Sequence, residues 1–139
     1  MKKTNKLFLL AILFIALTVP VVQSCKKYPD GPMFSLQSRK ERVANTWKIE
    51  NYKKNGNDLT SSMSGYTETY TKNGNYSYTW YFFGGSGTWA FQNHDKEIRI
   101  TGNTGLSSQT LYILRLEEKS FWYYYMDGSD KKEFHMIPN

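Results

Sequence analysis

The chain has 139 residues and a formal net charge of +6, but Lys2, Lys3 and Lys6 belong to an apolar leader, and beyond it 15 basic side chains face 12 acidic ones, or +3. That modest balance, with no basic stripe, argues against a nucleic-acid partner, and a single cysteine excludes an intrachain disulfide. About 115 residues follow the leader, enough for one domain around one core. Of the 23 Phe, Trp and Tyr residues, 21 lie after residue 25; such residues and Thr favour strands, so this part of the chain reads as β.

In chain order, the first segment is Met1 to Lys6, which is positively charged, followed by an apolar run from Leu7 to Val22 interrupted late by Pro20. A charged start, an apolar middle and a small residue before a cut form an export signal. The run is short for a permanent span, which needs roughly 20 apolar residues. Val22-Gln23-Ser24-Cys25 resembles the bacterial lipobox, with Val22 where Leu is usual and Ser24 as the small residue. The resemblance implies a lipoprotein signal peptide over residues 1–24 and a Cys25 thiol alkylated with diacylglycerol, its new amino terminus acylated. Several acyl chains, at about 0.8 kcal/mol per buried CH₂, make attachment lasting. The bland alternative is an ordinary export signal with a chance cysteine. Lys26 stands where an Asp would resemble an inner-membrane retention signal, so outer membrane is expected. Lys26 and Lys27 precede Asp30, which favours the periplasmic face over the cell surface.

Residues 25–33 read as the lipidated Cys and a tether, with Pro29, Gly31 and Pro32; its eight residues after Cys25 reach at most roughly 28 Å. The domain proper is then 34–139. Ser38 with Glu41 three residues on is a capping-box pattern that predicts a short helix through Arg39, Arg42, Val43 and Ala44. One or two turns cannot stand alone, so the helix must pack on something. Strands are predicted at 46–52, 66–72, 75–83, 88–92, 96–101, 109–116, 120–126 and 132–137. Asn73-Gly74 is a strong two-residue hairpin signal, while Gly84, Gly85 and Gly87 are expected to break the run after Phe83. Eight strands joined by short turns imply an up-and-down antiparallel order. Eight is also the number at which a sheet closes into a small barrel and loses its exposed edges. A β-sandwich of two four-stranded sheets is the alternative architecture.

The short helix before Asn45-Thr46-Trp47, the Asn-Gly hairpin and Gly87-Thr88-Trp89 before a further hairpin together resemble the small lipocalin-like domains common in lipoproteins of Bacteroidota. The resemblance spans about residues 36–137. Lipocalins carry Gly-x-Trp at the first strand, and here Asn45 takes the place of the Gly. They also pack an Arg against that Trp, which makes Arg99 and Arg115 candidates.

No catalytic constellation is legible. His94 and His135 are the only histidines, and no spaced set of ligands converges with them, so neither metal nor cofactor is expected. Gly84-Gly85-Ser86-Gly87 lacks the Lys and following helix of a phosphate loop. Adjacent Glu117 and Glu118 read as solvated turn charges rather than an acid/base pair. The aromatics carry the functional signal. By the two-residue period, Tyr76, Tyr78, Trp80 and Phe82 share one face and Tyr81 and Phe83 the other, while Phe121, Tyr123 and Tyr125 alternate with Trp122, Tyr124 and Met126. One face must fill the barrel, with Trp47, Tyr78, Trp80 and Trp89 as expected core. The other leaves Tyr81, Phe83, Trp122 and Tyr124 as candidates for binding a partner or ligand. The expected function is a non-catalytic binding or accessory module, anchored in the outer membrane and docking on a protein partner or membrane assembly. The alternative is a carrier of a small apolar or glycan ligand, which needs a cavity of at least about 300 Å³; bulky inward side chains favour a filled barrel instead.

Overall fold

Ser38 starts the structured domain as a formed capping box: its hydroxyl accepts the backbone N–H of Glu41, whose carboxylate accepts the backbone N–H of Ser38. In the computed structural model, which describes Tyr28, Pro29 and residues 36–139, the helix that follows is α1, Arg39–Val43. The leader, Cys25 and most of the tether lie outside the described residues. After α1 the chain is almost wholly β. The strands are β1 (Thr46–Lys54), β2 (Asn57–Asp58), β3 (Thr67–Tyr70), β4 (Asn75–Trp80), β5 (Phe83–Gln92), β6 (Glu97–Thr104), β7 (Gln109–Glu117), β8 (Ser120–Asp127) and β9 (Asp130–Pro138), with a 3₁₀ turn at Thr60–Met63.

Each strand from β3 onward pairs antiparallel with the next, and β9 returns to β1 along Trp47↔Pro138 to Lys54↔Lys132. The sheet is therefore a closed eight-stranded barrel, not a sandwich. The ninth strand, β2, is a two-residue arm on the end of β1. It fills the edge that β1 exposes where β3, paired only to residues 46–48, has already diverged. That gap is lined further by the 3₁₀ turn, whose Thr60 hydroxyl accepts the backbone N–H of Tyr52.

Gly84, Gly85 and Gly87 do not break the chain; all three lie within β5. Low strand propensity predicts a loop there, but close approach decides the matter. A Cβ on Gly87 would stand 2.2 Å from the Thr101 carbonyl oxygen, and one on Gly85 2.5 Å from Cε1 of Tyr78. The reversal falls earlier, at Tyr81-Phe82, with Trp80 opposite Phe83. Phe82 therefore sits in a turn and not on the inward face with Tyr76.

Antiparallel connection gives the barrel two unlike ends. The helix, the start of β1 and the turns β3–β4, β5–β6 and β7–β8 lie at one end, which is closed. Trp47 is fully buried there, its indole N–H donating to the Val43 carbonyl at 2.9 Å and its ring 5.6 Å from that of Phe121. Trp89 donates to the Thr71 carbonyl at 2.9 Å, and Val43, Ile98, Ile100, Leu111, Leu116 and Met136 fill the space between. The arginine buried at this end is Arg42, whose Nη1 donates to the Leu116 carbonyl at 2.7 Å. Neither Arg99 nor Arg115 packs inside against Trp47. Arg99 is exposed beside Thr110, and Arg115 covers the outer ring of Trp122.

Candidate binding site at the open end of the barrel

The alternation Tyr66-Thr67-Glu68-Thr69-Tyr70 puts a carboxylate on the inward face of β3 between two tyrosines. Glu68 is 1% exposed. Its Oε1 accepts the hydroxyls of Tyr66 (2.7 Å), Tyr76 (2.9 Å) and Tyr123 (2.8 Å), and its Oε2 that of Tyr70 (2.9 Å). Tyr76 comes from the neighbouring β4 and Tyr123 from β8 across the barrel, so one carboxyl joins opposite walls. Four donors favour the carboxylate, but burial outweighs them and pushes its pKa up. Burial and the nearby charge raise the pKa values of Tyr66, Tyr70, Tyr76 and Tyr123 well above the ordinary phenol range.

This cluster is the floor of a cavity of about 420 Å³ that opens away from α1. Tyr66 and Tyr76 belong to both. Tyr52, Tyr78, Trp80, Tyr125 and Phe134 form the walls, and Leu59 just before the 3₁₀ turn, Met63 within it and Leu106 of the β6–β7 loop the rim. Glycine at 85 leaves room for the Tyr78 ring, which stacks on Tyr66 with centroids 5.9 Å apart and donates its hydroxyl to the Gly105 carbonyl at 3.1 Å. Lys132 stands at the rim, paired with Asp127. The indole N–H of Trp80 is buried and meets no acceptor. The barrel is thus filled at one end and hollow at the other, where a wholly filled interior was expected.

Beside this mouth is the β4–β5 hairpin tip. Tyr81, Phe82 and Phe83 are 63%, 101% and 69% exposed. Tyr81 has φ of +51°, a left-handed backbone that glycine or asparagine adopts at less cost. The β3–β4 connection runs over residues 71–74, longer than the two-residue Asn73-Gly74 turn expected, and in it only Gly74 has positive φ.

Of the four outward aromatics expected from the sequence, Tyr81 and Phe83 meet at this tip and Trp122 and Tyr124 lie elsewhere, on the β7–β8–β9 wall. They are half-buried and engaged with neighbours. Trp122 stacks on His135 with centroids 4.0 Å apart and an interplanar angle of 5°, under the Arg115 guanidinium at 4.1 Å. Tyr124 stacks on Tyr112 at 4.9 Å beneath Lys131 Nζ at 4.4 Å. This is cross-strand pairing that stabilises a sheet. Of the four aromatics expected in the core, Trp47 and Trp89 are buried, whereas Tyr78 and Trp80 are half-buried and line the mouth.

His94 is exposed in the β5–β6 turn with φ of +54°, and His135 bonds Glu133 at 2.8 Å. Among the described residues no group of three or more His, Cys, Asp or Glu side chains is placed to hold a metal ion. Sequence reasoning missed Glu68, Tyr66, Tyr70 and Phe82. A glutamate in phase with buried tyrosines was the available signal for the first three. No protein-family model matches the chain, and no curated protein matches it.

Proposed function

We propose that the protein is an outer-membrane lipoprotein, lipidated at Cys25 and of the lipocalin-like type common in Bacteroidota, whose barrel is a non-catalytic module that docks a protein partner through its open end. The observation that carries this reading is the uncovered run Tyr81-Phe82-Phe83. Three adjacent aromatics at a turn contribute nothing to the core, and the turn itself would form more easily with Gly at its first position, where Tyr81 has positive φ. Tyr and Phe clustered on a hairpin tip are suited to be the buried anchors of a protein interface. The test is extraction in mild detergent and affinity purification of the wild type and of a Phe82→Ser/Phe83→Ser variant. The wild type should carry a stoichiometric partner that the variant loses while its circular dichroism is unchanged. A variant that retains every partner of the wild type would overturn the reading.

The mouth supports a second reading, a carrier of a small apolar or glycan ligand. Its volume of about 420 Å³ passes the roughly 300 Å³ such ligands need, and the Trp80 N–H has no acceptor of its own. Titration with detergent-like lipids and with oligosaccharides, followed by tryptophan fluorescence, tests it; no spectral change with either class eliminates it.

A further inference from the structure

We infer that the closed end of the barrel is the face held against the bilayer, so that the mouth and the aromatic tip are presented away from the membrane that carries the anchor. The inference rests on the reading of Cys25 as the lipidated residue. What it adds is an orientation, and it comes from Tyr28. That side chain is 3% exposed and donates its hydroxyl to the Asp95 carbonyl at 2.8 Å. Asp95 sits in the β5–β6 turn, where its carboxylate is also paired with Arg39 of α1 at 2.7 Å. Tyr28 is therefore seated at the closed end, and its burial pushes the phenol up to about 12.

Chain geometry does the rest. Residue 25 is three peptide links from Tyr28, so it lies within about 10 Å of it. Strands of eight residues rising about 3.4 Å each and tilted about 40° separate the two ends by about 20 Å. With Tyr28 seated, the leash is too short to run up the wall and lay the tip on the same bilayer. Tyr81, Phe82 and Phe83 are thereby removed from the lipid headgroup zone, otherwise a natural home for aromatic side chains. Lysines are also in excess at the closed end. Lys40, Lys72, Lys96 and Lys119 are exposed there against Glu41, which pairs with Lys72, and Glu118. Asp95 and Glu117 are partly exposed and paired to Arg39 and Arg115, and Lys26 and Lys27 adjoin the anchor in sequence. That excess suits anionic headgroups.

The experiment uses the full lipidated protein in vesicles of phosphatidylethanolamine and phosphatidylglycerol doped with a gadolinium-chelating lipid. With the Cys25 thiol occupied by lipid, a single introduced cysteine takes the spin label, at Lys119→Cys on the closed end or Ser129→Cys on the open end. Relaxation enhancement at position 119 should exceed that at 129 by about tenfold or more, since the effect falls with the sixth power of a distance that differs by about 20 Å. Equal or inverted values overturn the orientation. Protein that fails to float with the vesicles and has the mass of unmodified Cys25 refutes the anchor itself, a separate outcome. Tyr28→Ala should reduce the difference severalfold, because the leash then runs thirteen residues to Ser38 and reaches up to about 45 Å. A difference unchanged by Tyr28→Ala overturns the assignment of the orientation to Tyr28.

Discussion

Replacing Glu68 by leucine removes one acceptor and strands four donors. Tyr70 and Tyr123 are buried away from the mouth, so their hydroxyls have no water to turn to, whereas Tyr66 and Tyr76 line the mouth. At about 1–3 kcal/mol for each buried donor left unsatisfied, the two cost about 2–6 kcal/mol, against a total stability of about 5–15 kcal/mol for a domain of this size. Glu68→Leu should therefore lose a large part of its stability. Glu68→Gln keeps the shape and offers an oxygen acceptor and two donors, so it should fold. The two chains then differ in pH dependence. Glu68 has a pKa raised in the folded state, so the folded protein holds its proton more tightly than the unfolded chain does. Its contribution is fully present below the ordinary carboxylate pKa and is lost as pH rises towards the folded value. Across that window wild-type stability should fall by at most about 1.4 kcal/mol per pH unit, and Glu68→Gln should lack that slope. Urea denaturation followed by tryptophan fluorescence, in steps from pH 4.5 to 8, measures both. A Glu68→Leu protein within about 1 kcal/mol of wild type, or identical slopes in wild type and Glu68→Gln, would refute the reasoning.

Tyr81→Gly relieves a left-handed backbone and should raise stability by up to about 1 kcal/mol in thermal unfolding, while weakening partner capture. Gly85→Ala drives a methyl to 2.5 Å from Tyr78 Cε1 and 2.8 Å from the Gly105 carbonyl oxygen. It should cost about 1–3 kcal/mol, and a crystal structure should show the Tyr78 ring displaced into the mouth. Arg42→Ala removes the charged bond to the Leu116 carbonyl at the closed end and should lower stability by about 1.5–3 kcal/mol, without altering ligand or partner titrations at the mouth.

Much of the barrel was legible because its signals are local. Ser38 and Glu41 announce a cap, Asn73-Gly74 a turn, and alternation along β7, β8 and β9 shows which residues share a face. What was misread is what locality cannot supply. Tyr81-Phe82 carries no turn chemistry, so the reversal is visible only once β4 is laid against β5 with Trp80 opposite Phe83. The glycines of β5 read as a break because propensity is a property of one residue, whereas their reason is the carbonyl of Thr101 and the ring of Tyr78 on neighbouring strands. Glu68 shows the limit most clearly. Its tyrosines at 66 and 70 follow from the period of two, Tyr76 from the hairpin register, but Tyr123, 55 residues away, only from closure of the barrel.

Closure also explains why the two ends differ. A filled interior is stabilised by apolar burial, which the closed end obtains from Trp47, Phe121 and the aliphatic residues around them. Had the same packing continued upward, Glu68 would be an unpaired charge among leucines. Its four phenols make the carboxyl tolerable, and they do so by drawing tyrosines from three strands to one point. Fixed at their tips, Tyr66 and Tyr76 cannot rotate inward to fill the space above, and that space remains as the mouth. The hollow end therefore follows from the buried carboxyl: Glu68→Gln should preserve the cavity, whereas any Glu68→Leu protein that folds should let Tyr66 collapse into it, with a measurable loss of volume in a crystal structure. A folded Glu68→Leu barrel with its mouth unchanged would show that the tyrosines hold their places without the carboxyl.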